Sequence, residues 1–317
     1  MRRNDLVTFS CDGWPMHGIV HIPQGETQRR IGVIIVQGNL NSSPKFGAHW
    51  MFRRMGDALA DVGVYAFRYD DRGTSDSPGD CALSFRDRIA DLCAASKFLR
   101  QQYRLDEVVF WGHCMGAAVV VHAAARLEWD EKPEGMVLCS LLAHAADVTL
   151  PDFGYGATSV SGLLRSSRAK TWLNKIRRLL TDDSYRRRAS AWLRAVTAGH
   201  MRTNSGIKQL QADVGKVAGL LARYDRPMLL IFGEKDPFLV SFNKYVNAGD
   251  KLGLNRKVPP ATIAVMHDGD HVFASRQQTK ELIESTLEWL RRLCPSNTRT
   301  TSYAESTDGI FATPAAD

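Results

Sequence analysis

Along the chain, short continuous apolar runs alternate with longer stretches of helical periodicity. Ile31-Gly32-Val33-Ile34-Ile35-Val36, Val64 to Tyr69, Val108-Val109-Phe110-Trp111, Met136 to Leu142, Pro227-Met228-Leu229-Leu230-Ile231-Phe232 and Ala261 to Met266 are apolar on consecutive positions. That pattern predicts strands buried on both faces. Between them, Lys45 to Val62, Phe85 to Tyr103, Ala117 to Leu127 and Gln277 to Leu293 repeat at helical spacing. Trp50, Phe52, Met55, Leu59 and Val62 give the first of these an apolar face; Leu282, Ile283, Leu287, Trp289 and Leu290 give the last one its face. Ahead of all of them, Leu6 to Cys11 and Met16 to Pro23 alternate about Asp12-Gly13 and predict a hairpin. Strands alternating with helices predict an α/β fold with a doubly wound, mostly parallel sheet.

The alternation stops after Asp147 and resumes at Pro227. Leu150 to about Ala222 reads as largely helical, interrupted by Gly154, Gly156, Gly162 and Gly199. The expected organisation is therefore a core in two parts, 1–147 and 225–294, a helical lid insertion at 148–224, and a Thr/Ser/Ala-rich tail at 295–317 without the apolar groups needed to fold. The net charge of +7 is uneven. Arg165 to Arg202 holds eleven Lys/Arg against Asp182 and Asp183, which leaves the rest of the chain at about −2. A basic surface confined to the lid, with Trp172, Tyr185 and Trp192 at helix-like spacing, argues against a nucleic-acid partner. It suits an anionic substrate, carrier or surface met by Arg177, Arg178, Arg186, Arg187 and Arg188, or simply a solvated helical face.

With 44% apolar residues the chain affords a sizeable core. No apolar run approaches the roughly 20 residues of a membrane span, and no apolar leader follows Met1, so a cytoplasmic location is expected. The six cysteines are scattered with no CxxC pair. Neither a disulfide framework nor a metal site is expected, nor any cofactor. The oligomeric state is open.

Gly112-His113-Cys114-Met115-Gly116 stands between the strand at 108–111 and the helix after it. A sharp strand-to-helix turn needs small flanking residues and exposes its central side chain at a helix N-terminus; this is a nucleophile elbow with cysteine at the centre. A helix terminus and a nearby histidine both favour a thiolate. The blander alternative is a buried cysteine that merely packs. Against it stand two further loops at strand ends on the same sheet edge: Asp236 in Gly233-Glu234-Lys235-Asp236, and His271 in His267-Asp268-Gly269-Asp270-His271. Nucleophile, acid and histidine then follow in the order this turn requires. Asp147, Asp268 and Asp270 are weaker candidates for the acid. Two backbone N–H groups are expected to form an oxyanion hole, that of Met115 and that of Asn39. Gln37, Gly38 and His113 are placed against the substrate, with Gly38 allowing close backbone approach. Arg68, Asp70, Asp71 and Arg72 read as residues that fix a turn beside the site rather than as a phosphate site.

On these motifs the chain resembles the α/β-hydrolases of the serine aminopeptidase S33, monoacylglycerol-lipase-like, group. Gly112-His113-Cys114-Met115-Gly116 is similar to that group's Gly-His-Ser-Met-Gly except at its centre. Gln37-Gly38-Asn39 stands where the group has His-Gly-x, and Asp70-Asp71-Arg72-Gly73-Thr74-Ser75-Asp76-Ser77 is similar to its Asp-x-Arg-Gly-x-Gly-x-Ser segment. There is also a likeness to the exosortase A system-associated hydrolases, which pair such a core with a helical insertion. The resemblance implies an α/β-hydrolase fold and a Cys114-His271-Asp236 triad. The implied activity is hydrolysis of an ester or thioester through an acyl-cysteine intermediate, with a small-molecule or carrier-bound acyl substrate. An acyltransferase using the same intermediate and a non-catalytic binding protein of the same fold are the alternatives. Cysteine in place of serine favours thioester or activated-ester chemistry over ordinary lipase or peptidase activity.

Overall fold

The computed structural model describes residues 3–25, 30–38, 50–79, 85–128, 131–148, 204–247 and 261–295. The expected oxyanion donor Asn39, the basic segment of the lid and the tail lie outside the described residues.

Strands β1 (Arg3–Cys11) and β2 (Trp14–Ile22) form the predicted hairpin, paired antiparallel from Arg3 with Ile22 to Cys11 with Trp14. Asp12 and Gly13 both take positive φ, 51° and 82°, as a two-residue primed turn requires. Then follow β3 (Ile31–Val36), α1 (Met51–Asp61), β4 (Tyr65–Tyr69), α2 (Phe85–Tyr103), β5 (Glu107–His113), α3 (Met115–Ala124) and β6 (Gly135–Cys139). From residue 204 onward come α4 (Asn204–Arg223), β7 (Met228–Gly233), α5 (Pro237–Ser241), β8 (Thr262–Met266) and α6 (Arg276–Leu293). The eight strands lie in the order β1-β2-β4-β3-β5-β6-β7-β8. Every pair from β4 to β8 is parallel, so the sheet is mixed but mostly parallel.

Alternation within each strand sorts the core onto two faces. Ile31, Val33 and Ile35 of β3, Val109 and Trp111 of β5, and Leu229 and Ile231 of β7 meet α1 and α6 through Phe52, Met55, Leu59, Leu282, Ile283 and Leu287. Ile34, Val36, Phe110, Leu138 and Leu230 face the other way, onto α2, α3 and α4. This two-sided burial explains why the central strands read as unbroken apolar runs. No described helix is long and apolar enough to cross a membrane.

The structure adjusts several of the sequence expectations. Helix α1 begins at Met51, and Trp50 is half exposed at φ 62° instead of joining the apolar face. Helix α3 starts at Met115, directly after the elbow, and ends at Ala124 rather than Leu127. Strand β6 stops at Cys139, where Ser140 turns to φ 49°. The last part of the insertion expected at 148–224 is among the described residues. Its last helix, α4, buries Leu210, Val214, Val217 and Leu221 in the core cluster that includes α3. The His122 ring nitrogen Nε2 lies 2.9 Å from the Asp213 carbonyl oxygen and ties the two helices together. Each such apolar side chain stabilises the packing by roughly 1.5–3 kcal/mol, so α4 belongs to the helical layer of the core.

Candidate active site

The backbone at Cys114 sits at φ 56°, ψ −123°, directly before α3. A non-glycine residue there carries about 1–3 kcal/mol of strain, which the surroundings must hold in place. Its N–H donates to the Cys139 carbonyl at 2.8 Å and its own carbonyl accepts from Ala117 at 3.1 Å. The two glycines of the motif are steric necessities. A Cβ on Gly112 would come within 2.6 Å of Ala117 Cα, and one on Gly116 would strike the Val36 and Gln37 carbonyl groups. The end of β3 therefore lies flat against the elbow. A Cβ on Gly38 would stand 2.6 Å from Cys114 Cβ and 3.4 Å from Sγ.

A buried polar cluster fixes that strand end. Arg88 of α2 donates through Nε to Asp71 at 2.9 Å and through Nη2 to the Gln37 carbonyl at 2.5 Å. Burial pushes the Asp71 carboxyl up in pKa, and Arg88 offsets this only in part. Thr74 and Ser77 donate to the Asp71 and Asp70 carbonyls, so the segment after β4 is a tied turn, as the sequence suggests. The Gln37 side chain is 4% exposed and its Nε2 lies 3.5 Å from Asp71. It points inward, toward Asp71.

Asp236 and His271 come from adjacent loops after β7 and β8. Lys235 N–H donates to the Gly269 carbonyl at 2.8 Å and Glu234 N–H to that of Met266 at 2.9 Å. A Cβ on Gly269 would lie 2.8 Å from Gly233 Cα, so both loops need glycine where they meet. Asp236 caps α5: its Oδ1 accepts the Phe238 N–H at 2.9 Å and pairs with His271 Nδ1 at 3.1 Å. Asp270 Oδ1 accepts the N–H groups of Val272 and Ala274, Asp268 pairs with Lys235, and Asp147 accepts from Ser241 at 2.7 Å. The three weaker acid candidates are thus engaged elsewhere.

Electrostatics make these groups a coupled set. Burial pulls the His271 imidazole down in pKa, but its hydrogen bonds with Asp236 and Cys114 and their negative charge outweigh burial and hold it at about 10. Burial pushes the Asp236 carboxyl up; the His271 bond and charge, Ser140 and the Phe238 amide together bring it below its ordinary value. His113 is different. Burial and the charge of His271 bring it down to about 4, so it is neutral at ordinary pH. Its Nε2 donates to the His271 carbonyl at 2.8 Å and its ring is 8% exposed. The sequence expects His113 against substrate; in the structure its ring lies beside that of His271, with centroids 5.3 Å apart. Met115, 1% exposed, follows Cys114 at the first position of α3.

Two neighbours escape sequence reasoning. Phe238 sets its ring edge-on to His271, with centroids 4.8 Å apart. Ser140 Oγ lies 3.1 Å from the His271 carbonyl oxygen. Neither carries a motif; only the strand-end position of Ser140 gives a hint.

Residues 34–258 match the model of the Hydrolase_4 family, the serine aminopeptidases S33, and the chain belongs to this family of α/β-hydrolases. No curated protein matches it in sequence. Among solved structures it is similar to Est1E from Butyrivibrio proteoclasticus with bound ferulic acid, at TM-score 0.59 and 14% identity over 91% of this chain and 99% of that one. It is similar to the Pyrococcus furiosus esterase Pf2001 at TM-score 0.59 and 16% identity, covering 92% and 93% of the two chains. A variant of the meta-cleavage product hydrolase CumD gives TM-score 0.58 and 18% identity, covering 90% and 98%. At these identities the likeness speaks for the fold.

Proposed function

We propose that this α/β-hydrolase cleaves small esters or thioesters through a covalent acyl-Cys114 intermediate. The observation that carries the reading is the strained Cys114 at the elbow together with the His271–Asp236 pair, joined Nδ1 to Oδ1 at 3.1 Å and electrostatically coupled to Cys114. His271 takes the proton of the Cys114 thiol as Sγ is activated. Sγ attacks the acyl carbonyl carbon, and the Met115 N–H, with the Asn39 N–H as the expected second donor, takes the developing oxyanion. When the tetrahedral adduct collapses, the bond to the leaving group breaks and His271 gives that group its proton. In deacylation neutral His271 removes a proton from water, which attacks the thioester carbonyl and expels Sγ; the acid product leaves and the imidazolium–thiolate pair is restored. Gly38 gives the substrate room beside Sγ. The esterases of similar fold, one holding ferulic acid, support a small ester as substrate class.

The test is intact mass spectrometry after exposure to a panel of acyl thioesters and activated esters. Gain of one acyl group on the wild type, absent in Cys114→Ala, is the expected result. Release of free acid by water marks a hydrolase, and release only on adding an alcohol or amine marks an acyltransferase. No adduct and no turnover with any acyl donor would favour the binding-protein alternative.

A further inference from the structure

Ser140 is fully buried, follows the last residue of β6, and holds a positive φ of 49° without being glycine or asparagine. Its N–H donates to the Ile231 carbonyl of β7 at 2.8 Å, which aims the side chain at the carboxyl edge of the sheet. There the hydroxyl faces two acceptors from different loops. One is the His271 carbonyl, 3.1 Å from Oγ. The other is the Asp236 carboxylate, whose charged form Ser140 favours. A serine hydroxyl has one proton to give.

The remaining donors decide where it goes. The His271 carbonyl already receives the His113 Nε2–H at 2.8 Å, a shorter bond than the one from Ser140. On Asp236, Oδ1 receives both the Phe238 N–H and the His271 ring N–H, whereas Oδ2 is buried and has no aligned donor among the described residues. An unsatisfied buried carboxylate oxygen is costly, and a hydrogen bond to a charged acceptor is about twice as strong as one to a neutral carbonyl. We propose that Ser140 is a positioning residue of the triad, its Oγ–H given to Asp236 Oδ2 while His113 alone serves the His271 carbonyl. This assignment rests on the acyl-Cys114 reading for its importance to turnover but not for its geometry. With both oxygens engaged, the carboxylate cannot rotate away from Nδ1, and the positive charge of His271 helps to keep it ionised. The strained turn at Ser140 is what brings Oγ under the carboxylate from β6, the strand between the elbow and the acid loop.

The experiment follows the Asp236 carboxyl by carbon-13 NMR in the full chain, assigned with Asp236→Asn, across acid pH. In Ser140→Ala the titration should move up by about one pH unit, since a donor to the charged form is lost. The acid limb of Cys114 alkylation by iodoacetamide should move up with it, and the pH-independent rate should fall several-fold. Ser140→Gly, free of backbone strain at positive φ, gives the same reading if the alanine variant fails to fold. An Asp236 titration that stays at its wild-type position in these variants would overturn the assignment and put the proton on the His271 carbonyl. Failure of the acyl-enzyme reading would look different: wild-type Cys114 would be no more reactive than the other cysteines, while the Asp236 titration would still report on Ser140.

Discussion

His271 Nδ1 lies 3.1 Å from Asp236 Oδ1, a side-chain bond between loops, after two neighbouring strands, whose backbones are already tied together. It orients the imidazole and supports its positive charge. Asp236→Asn removes the charge and offers the ring an amide that can present either a donor or an acceptor. By analogy with triads in general, turnover of the best acyl substrate should fall by about 10³–10⁴-fold with the fold retained. Steady-state kinetics beside a circular dichroism melt checks this; an activity loss under tenfold would remove Asp236 from the triad.

The protonation of His271 sets a pH window. Its value is about 10 in the fold against 6.5 for the free side chain. A raised value means that the protonated ring stabilises the folded state. That contribution is fully present below 6.5 and is lost as pH rises through about 10. Asp236 works in the opposite sense: its lowered carboxyl contributes above its ordinary range and loses that contribution in acid. Nitrogen-15 or proton NMR of the His271 ring should show a midpoint near 10 in the wild type. In Cys114→Ala the midpoint should drop, because both the bond and the negative charge on sulfur are gone. A wild-type ring that titrates near 6.5 would contradict the imidazolium–thiolate pair.

Much of this was legible in the sequence because it rests on strong local patterns. Two-sided burial leaves continuous apolar runs, so β3, β5, β6 and β7 could be placed within a residue or two, or at worst three, at the end of β6. Gly112 and Gly116 could be read because no other residue fits between the elbow and β3. What could not be read was direction. Nothing in the letters says that Gln37 turns its amide inward to Asp71, or that the His113 ring lies beside that of His271, because both depend on which sheet face a strand-end residue meets. The packing of α4 was hidden for a related reason: the i, i+4, i+7, i+11 stripe of Leu210, Val214, Val217 and Leu221 marks a buried face without saying what buries it.

Cysteine reactivity separates Cys114 from its companions. Burial pushes the Cys139 thiol well up, Cys93 to about 11 and Cys11 to about 12, where Asp91 also opposes ionisation. These three should be inert to iodoacetamide at neutral pH. Cys114 is partly exposed and electrostatically coupled to His271, and should be alkylated first. Peptide-resolved alkylation rates against pH test this, and His271→Ala should slow the Cys114 rate by at least tenfold. Equal rates at Cys114 and Cys93, in wild type and variant alike, would remove the activated thiol.

Gly38 tests the contact between β3 and the elbow. A methyl group there would come 2.6 Å from Cys114 Cβ and 2.7 Å from the His113 carbonyl oxygen, both held by backbone rather than by mobile side-chain ends. Gly38→Ala should therefore displace either the strand end or the elbow, at a cost of about 1–3 kcal/mol. Acylation should fall far more than stability does, since the displaced atoms are those flanking Sγ. Acylation kinetics with a p-nitrophenyl ester and a urea unfolding curve give the two numbers. Loss of both in proportion would mean that Gly38 matters to the fold alone.

Arg88 and Asp71 carry the last test, because they hold the strand end from beneath while touching no reacting atom. Their side chains are 1% and 3% exposed, and the guanidinium bridges Asp71 to the Gln37 carbonyl. Removing one partner leaves an unpaired buried charge or an orphaned carbonyl. Arg88→Met should destabilise the protein by about 3–5 kcal/mol at neutral pH. Asp71→Leu alone should cost a similar amount. The double variant removes both charges and should recover a large part of that loss, although the Gln37 carbonyl still lacks its donor. Acylation of Cys114 in the double variant should stay well below wild type for the same reason, even where the fold is restored. Chemical denaturation of the four proteins at a single pH gives the coupling energy, and acylation rates on the same samples give the effect on the site. Strict additivity of the two single losses would show that the pair is not coupled. Full recovery of acylation in the double variant would show that the Arg88 bond to Gln37 does not position the elbow's neighbour.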